Sequence, residues 1–369
     1  MFYKNFRKQF SNNSAVEEGK RPRMDQHTDV IAKAVQGSLS IIEQDREKEI
    51  ISRRFGLNGE RETLEQIGEF LSITRERVRQ LEKAIVVRLR IAAEDGKIPE
   101  LAAAEKILIR NLTEEGRIAK ISTLTTKIYG REATNLEKSY LIFLAEISAN
   151  LTLIEETEKY YGAIGISDYG DEKTIKKHID EIVNLIKAKK APVSLEELDN
   201  QLNYEHPNYI RAVASISKQL SSLDDQWGLT KWPTVNPKNI RDKIYVILQN
   251  KKEPMHFNDI AEAISASSFR KKDVTLQAIH NELIKDPRFV LIGRGIYALR
   301  DWGYKKGTVS QIITSILEES KTPLTREEIV KNVLKVRKVK ETTVLLNLQN
   351  KKLYQRVDKN MYTVAKTAE

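Results

Sequence analysis

The sequence predicts a mainly α protein with small β-hairpin wings, in which an N-terminal helix-turn-helix is followed by tandem winged-helix domains. Three observations predict it. Residues Thr63 to Arg90 carry two amphipathic helical periods separated by a short break. Beyond Gly96, a unit of roughly 65 residues recurs four times in the order helix, short extended stretch, capped helix, longer helix. Each recurrence closes on a pair of extended, aromatic-containing segments.

Residues 1–28 read as a basic disordered arm. Lys4, Arg7, Lys8, Lys20, Arg21 and Arg23 outnumber Glu17 and Glu18 in a polar context, which offers too little apolar surface to offset the entropy of ordering. The unit at 29–95 follows. Within it, Thr63 is placed to N-cap a helix whose third position is Gln66, a capping box, and Leu64, Ile67 and Leu71 repeat at the helical period. Ser72, Ile73 and Thr74 interrupt that period, and Thr74 is placed to cap a second helix. At about 100° per residue, Val78, Leu81, Ile85 and Leu89 fall on one side of the second helix and Glu76, Arg79, Gln80 and Lys83 on the other. The outward row beginning at Arg75 and Glu76, one turn before Arg79 and Gln80, has the residue types that read base edges: Arg for guanine, Glu for the cytosine amino group, Gln for adenine. These side chains sit near the N-terminal end of the helix, the end that enters the major groove in this motif.

With SRRFGL at 52–57 and TLEQIGEFLSITRERVRQLEKA at 63–84, the stretch 41–92 resembles region 4 of the sigma-70-type sigma factors. The resemblance implies base contacts by Arg75, Glu76, Arg79 and Gln80. It implies DNA-backbone contacts by Arg54, Thr63, Leu64 and Lys83, with Leu64 acting through its main-chain N–H at a helix start. It also implies recognition of an upstream promoter hexamer and contact with the polymerase flap that receives region 4. The chain departs from the family pattern after the recognition segment, where Val86 and Val87 stand in place of basic residues. Both are assigned to contact with the polymerase rather than DNA. Only about 45 residues precede the motif and none resembles the large polymerase-binding module of sigma factors, so a self-sufficient sigma factor is not expected.

Four winged-helix-like units are expected at 98–168, 171–235, 238–304 and 307–366, parted by turn formers at Gly170-Asp171, Asn236-Pro237 and Lys306-Gly307. Their closing strands are Tyr160 to Ile166, Trp227 to Leu229, Gly295 to Leu299 and Met361 to Val364. Capping signals, Ser194 with Glu197 and Thr325 with Glu328, mark where the second helix begins in two of them. In the third, the segments PRFVLI and IYAL flank Gly293-Arg294-Gly295, which permits a sharp reversal and puts Arg294 at a wing tip. The strings MHFNDIAEAI and DPRFVLIGRGIYALRDWG make 238–304 similar to the HARE-type winged helix of the RNA polymerase delta subunit and of some chromatin and restriction proteins. That resemblance implies a DNA- or transcription-associated module without a residue-level reading code. The last unit is locally basic, with Lys331, Lys335, Arg337, Lys338, Lys340, Lys351 and Lys352 against Glu341 between 331 and 352. Trp232 and Trp302, just after strands, are expected in packing rather than base stacking.

A net charge of +10 on 369 residues and a pI near 9.3 favour a polyanionic partner. With no Cys, disulfides, thiol nucleophiles and Cys-ligated zinc are excluded. No apolar run approaches the roughly 20 residues that span a bilayer, and MFYKNFRKQF lacks a signal-peptide apolar core. His27, His178, His206, His256 and His280 are scattered, there is no phosphate-binding GxxxxGK[ST] loop, and the GRG at 293–295 is too short for a dinucleotide fingerprint. The expectation is a non-enzymatic cytoplasmic, nucleoid-associated protein with no cofactor, metal or small-molecule substrate. Its expected partners are double-stranded DNA and RNA polymerase, with no membrane. Three functions compete: a sigma-factor-like protein that recognises promoter DNA in transcription initiation or its regulation, a polymerase adaptor or sigma competitor that does not read sequence and uses its winged helices for protein contacts, and, from the HARE-type resemblance, a DNA-modification or defence accessory factor, which the sigma-like motif disfavours.

Overall fold

A computed structural model describes residues 23–204, 208–269 and 273–365. The basic arm expected over 1–28 lies outside the described residues as far as Pro22. Its last residues, 23–28, are helical, because Ile31, Ala34 and Val35 lie on a buried face and the helix they anchor extends upstream. The described residues fall into two compact units, one within 1–188 and 195–220, the other within 189–194 and 221–369.

The first unit begins with α1 (Arg23–Ser40), α2 (Asp45–Phe55), α3 (Leu64–Leu71) and α4 (Arg75–Glu94). Then follow α5 (Leu101–Glu115), β1 (Ile118–Lys120), α6 (Ile121–Tyr129), α7 (Asn135–Ile147), β2 (Leu151–Ile154) and β3 (Ala163–Ile166). α8 (Glu172–Lys189), α9 (Leu195–Leu202) and α10 (Tyr209–Ile216) complete its helices. The modules expected at 29–95 and 98–168 do not have separate cores. Ile31, Phe55, Ile85, Val86 and Leu89 join Leu108, Leu112, Leu141, Phe143 and Leu144 in one apolar cluster. The rings of Phe55 and Phe143 meet edge to face with centroids 5.2 Å apart, and Arg90 donates to the Glu146 carboxylate at 2.5 Å. The cause lies in α4, which runs 20 residues, longer than a helix-turn-helix needs, and its last turns bury Leu89 and Ala92.

The second unit holds β4 (Val193–Ser194) and β6 (Gln226–Leu229), which pair antiparallel and share a sheet with β5 (Leu220–Leu223). The segment expected as a single winged unit at 171–235 is thus divided between the two compact units. Beyond it come α11 (Ile240–Lys251), β7 (Met255–His256), α12 (Phe257–Ala266), α13 (Leu276–Lys285), β8 (Phe289–Gly293) and β9 (Ile296–Leu299). The last group is α14 (Val309–Ser320), β10 (Leu324–Thr325), α15 (Arg326–Val336), α16 (Glu341–Leu348), β11 (Tyr354–Asp358) and β12 (Met361–Val364).

Among the described residues, four three-stranded sheets share one topology: β1-β3-β2, β4-β6-β5, β7-β9-β8 and β10-β12-β11. In each, a short strand precedes a helix and pairs with the last strand of the hairpin, so the final strand sits in the middle. This is the winged-helix plan. The turn between β8 and β9 depends on Gly295 at φ +68, where an added Cβ would lie 2.5 Å from His256 Nε2. The free edge of β8 is not left open. Lys338 N–H donates to Ile292 O at 3.0 Å, the Arg337 guanidinium donates to Leu291 O, and a Cβ on Gly293 would come within 2.8 Å of Lys338 O. The linker between α15 and α16 thereby covers a row of main-chain groups that would otherwise invite strand pairing.

Candidate nucleic-acid interface

α3 and α4 are built from the local signals the sequence carries. Gln66 N–H donates to Thr63 Oγ1 at 3.3 Å and Thr63 N–H donates to Gln66 Oε1 at 2.9 Å, so two main-chain donors at the helix start are satisfied reciprocally. The helix stops at Ser72, which takes a left-handed conformation at φ 55. Gly68 lets the turn close: an added Cβ would lie 2.7 Å from Ile73 O, and Ile73 N–H donates to Gly68 O at 3.0 Å. Thr74 caps α4 by accepting from Arg77 N–H at 3.2 Å. Ile50, Ile67 and Val78 form the buried centre of the motif, with Leu64, Leu71, Ile73 and Leu81 packed around them.

The opposite flank of α4 is open. Arg75, Glu76, Arg79, Gln80 and Lys83 are all exposed along one face. Their side chains already engage one another: Arg79 Nε and Nη2 donate to the two Glu76 carboxylate oxygens at 2.9 and 2.7 Å, and Gln80 Nε2 donates to Glu76 Oε1 at 3.4 Å. The hydrogen bonds from Arg79 hold the Glu76 carboxyl below its usual range, and the same bonds raise the Arg79 guanidinium above its own. Arg79, Gln80, Lys83, Ala84 and Val87 line an open depression of about 470 Å³ on this face.

The other expected residues are placed as follows. Leu64 is the first residue of α3, where main-chain N–H groups point out of the helix, and the Thr63 side chain is engaged in the cap. Arg54 lies on α2, and its Nε donates to Glu82 on α4 at 3.0 Å, an ion pair that ties the two helices together. Val87 is 46 % exposed, as an outward contact requires. Val86 corrects the expectation: it is 8 % exposed and belongs to the core shared with α7, because it sits on the shoulder of α4 that a later helix covers. Two exposed apolar side chains escaped the sequence reading, Ile91 one turn beyond Val87 and Phe70 on α3. Phe70 carries the Arg53 guanidinium 3.6 Å above its ring, and Arg53 is itself bound to Glu49 and Glu62 at 2.6 and 2.7 Å.

In the third winged segment the DPRF string has a structural task. Arg288 donates to Asp286 at 2.8 Å and to Asp242 on α11 at 3.2 Å, and its guanidinium lies 5.1 Å from the Tyr245 ring centroid. The bonds from Arg288 keep the Asp286 carboxyl below its usual range. Among the described residues no cluster of His, Asp and Glu is arranged to hold a metal ion, and no helix is long and apolar enough to cross a membrane.

Comparison with known proteins places these segments. The chain is 40 % identical over 57 residues to the RNA polymerase sigma factor SigA4 of Synechococcus elongatus, a match that covers 15 % of this chain and 18 % of that relative. The chain therefore spans less than a fifth of the sigma factor's length. Two segments match family descriptions: residues 44–90 are similar to sigma-70, region 4, and residues 240–302 to the HARE-HTH domain, the helix-turn-helix domain of ASXL and restriction endonuclease proteins.

Proposed function

We propose that the chain is a DNA-binding transcription protein that reads promoter DNA through the helix-turn-helix at 44–90 and associates with RNA polymerase in initiation or its regulation. The observation that carries this reading is the exposed row of Arg75, Glu76, Arg79 and Gln80 at the N-terminal end of α4, on a segment similar to sigma-70 region 4. In the reading, these four side chains meet base edges in the major groove. Leu64 N–H and Lys83 hold phosphates that set the register, and Arg54 and Thr63 support that contact from α2 and the cap of α3. The winged segments, each built on one of the four three-stranded sheets, extend the contact surface, no catalytic chemistry is assigned, and the protein works in the cytoplasm at the nucleoid.

A second reading rests on a specific observation. Val87 and Ile91 form an exposed apolar pair one turn apart on α4, 46 % and 54 % exposed, which suits a protein partner better than DNA. Under this reading the chain is a polymerase adaptor or sigma competitor that does not read sequence. Selecting bound fragments from random DNA, with and without the cognate RNA polymerase, separates the two. A common motif recovered by the protein supports the reader; polymerase capture that survives nuclease and high salt, with no sequence enriched, supports the adaptor.

A further inference from the structure

The last winged segment carries exposed cations that the reading above does not use. Lys338 and Lys340 lie in the linker entering α16, Lys351 and Lys352 in the turn leaving it, and Lys359 at the tip of the β11–β12 hairpin. All five are exposed, and none has an ion pair among the described residues. In the same compact unit Arg288 is committed to Asp242 and Asp286, and Lys305 to Glu319 at 2.5 Å. The free lysines are also held on ordered backbone. Arg337 is extended, at φ −144 and ψ 140, and Lys338 N–H is fixed to Ile292 O at 3.0 Å. Val344 and Leu348 anchor α16 in the core while Thr342 and Leu346 face outward.

We propose that this face, α16 with the linker before it, the turn after it and the hairpin tip, is a second DNA contact that grips the phosphate backbone of a duplex without reading bases. A short helix with lysines at both ends, two before it and two after it against the single carboxylate of Glu341, offers positive charge to the two phosphate rows that border a groove. Single-stranded nucleic acid is the poorer fit, since such sites rely on open aromatic platforms. Here Tyr354 is buried, and Tyr362 packs against the same core. The proposal deepens the DNA-binding reading above, and it is tested on a duplex with no selected site so that the two stand or fall separately.

The test uses the full chain and a random-sequence duplex of about 30 base pairs, with affinity measured between about 50 and 200 mM salt. Each phosphate contact contributes about 0.9 to the slope of log affinity against log salt. Removing four contacts in the combined variant Lys338→Gln, Lys340→Gln, Lys351→Gln and Lys352→Gln should therefore shrink the salt-driven loss of affinity by about 100-fold over that range. The corresponding Lys→Arg variant should keep the parent's slope. A control removing the same charge at Lys106, Lys173, Lys187 and Lys231 should change little. The proposal is overturned if the Gln variant keeps the parent's affinity and slope, if the Arg variant falls with it, or if the control loses as much. It is equally overturned if the Gln variant loses binding only to single-stranded RNA or to vesicles of anionic lipid.

Discussion

α4 and α13 are built alike and surfaced differently. Both begin at a threonine that accepts a main-chain N–H, Thr74 from Arg77 at 3.2 Å and Thr275 from Ala278 at 3.3 Å. Both bury an apolar stripe, with Val78 and Ile85 in one and Ile279 and Leu283 in the other. Outward, α4 presents Arg75, Glu76, Arg79, Gln80 and Lys83, whereas α13 presents Leu276, Gln277, Asn281, Ile284 and Lys285. On α4 the outward polar groups clasp as an ion pair, Glu76 with Arg79; on α13 the equivalent contact is neutral, Gln277 Nε2 donating to Asn281 Oδ1 at 2.9 Å. The backbone device is the same, so function has to be argued from the side chains that each helix leaves in water.

The largest expected effects test what the two helices share. Ile67→Ala and Ile279→Ala each remove a fully buried side chain and should cost about 2–5 kcal/mol locally. Hydrogen exchange should show the loss of protection confined to α3 and α4 in the first and to α12 and α13 in the second. Only the first should abolish binding to a selected DNA site; equal loss from both would erase the distinction between the helices.

Next comes what separates them. Arg79→Ala or Gln80→Ala should weaken binding to a selected site by about 1–3 kcal/mol and relax selectivity at one base pair. Gln277→Ala and Asn281→Ala should leave the same affinity unchanged. Unaltered binding by the α4 variants in a titration would show that the reading face is misassigned. Smaller still are the caps: Thr74→Ala and Thr275→Ala should each cost about 1 kcal/mol, read as earlier exchange of the first-turn amides.

The smallest effect concerns the clasp. Glu76→Gln removes the charge that engages Arg79, and affinity for random duplex should rise a few-fold while selectivity falls; a variant that binds random duplex no better would show that Arg79 is not held back. The pH dependence has a fixed sign. The folded-state carboxyl is depressed by Arg79, so the clasp is complete above the ordinary carboxylate value of about 4.5 and is lost as pH falls through the lower folded value. A carboxyl-detected NMR titration in which Glu76 protonates at or above the ordinary value would count against the clasp in solution.

Legibility followed the distance along the chain over which each contact acts. The capping box of Thr63 and Gln66, the cap at Thr74 and the reversal at Gly295 are all settled within a few residues, and the sequence displays them directly. The outward row on α4 follows from the helical period alone. Burial of Val86 does not, because the helix that covers it begins at Asn135. Nor does the commitment of Arg54 to Glu82, which lie 28 residues apart, or the docking of Lys338 on β8, where its N–H meets the carbonyl of Ile292. Such contacts depend on how separate elements pack, and local pattern is silent about them.

The shared core of α4 and α7 has a consequence for the order in which the protein matures during synthesis. Phe55, Val86 and Leu89 lack part of their apolar shelter until the stretch ending at Ile147 has been made. At ribosomal speeds of about 5–20 residues per second, roughly 50 residues of further translation represent about 3–10 s. The helix that carries the exposed Arg75 to Lys83 row is thus written early and finished late, so a nascent chain stalled near Gly96 presents that row without its footing.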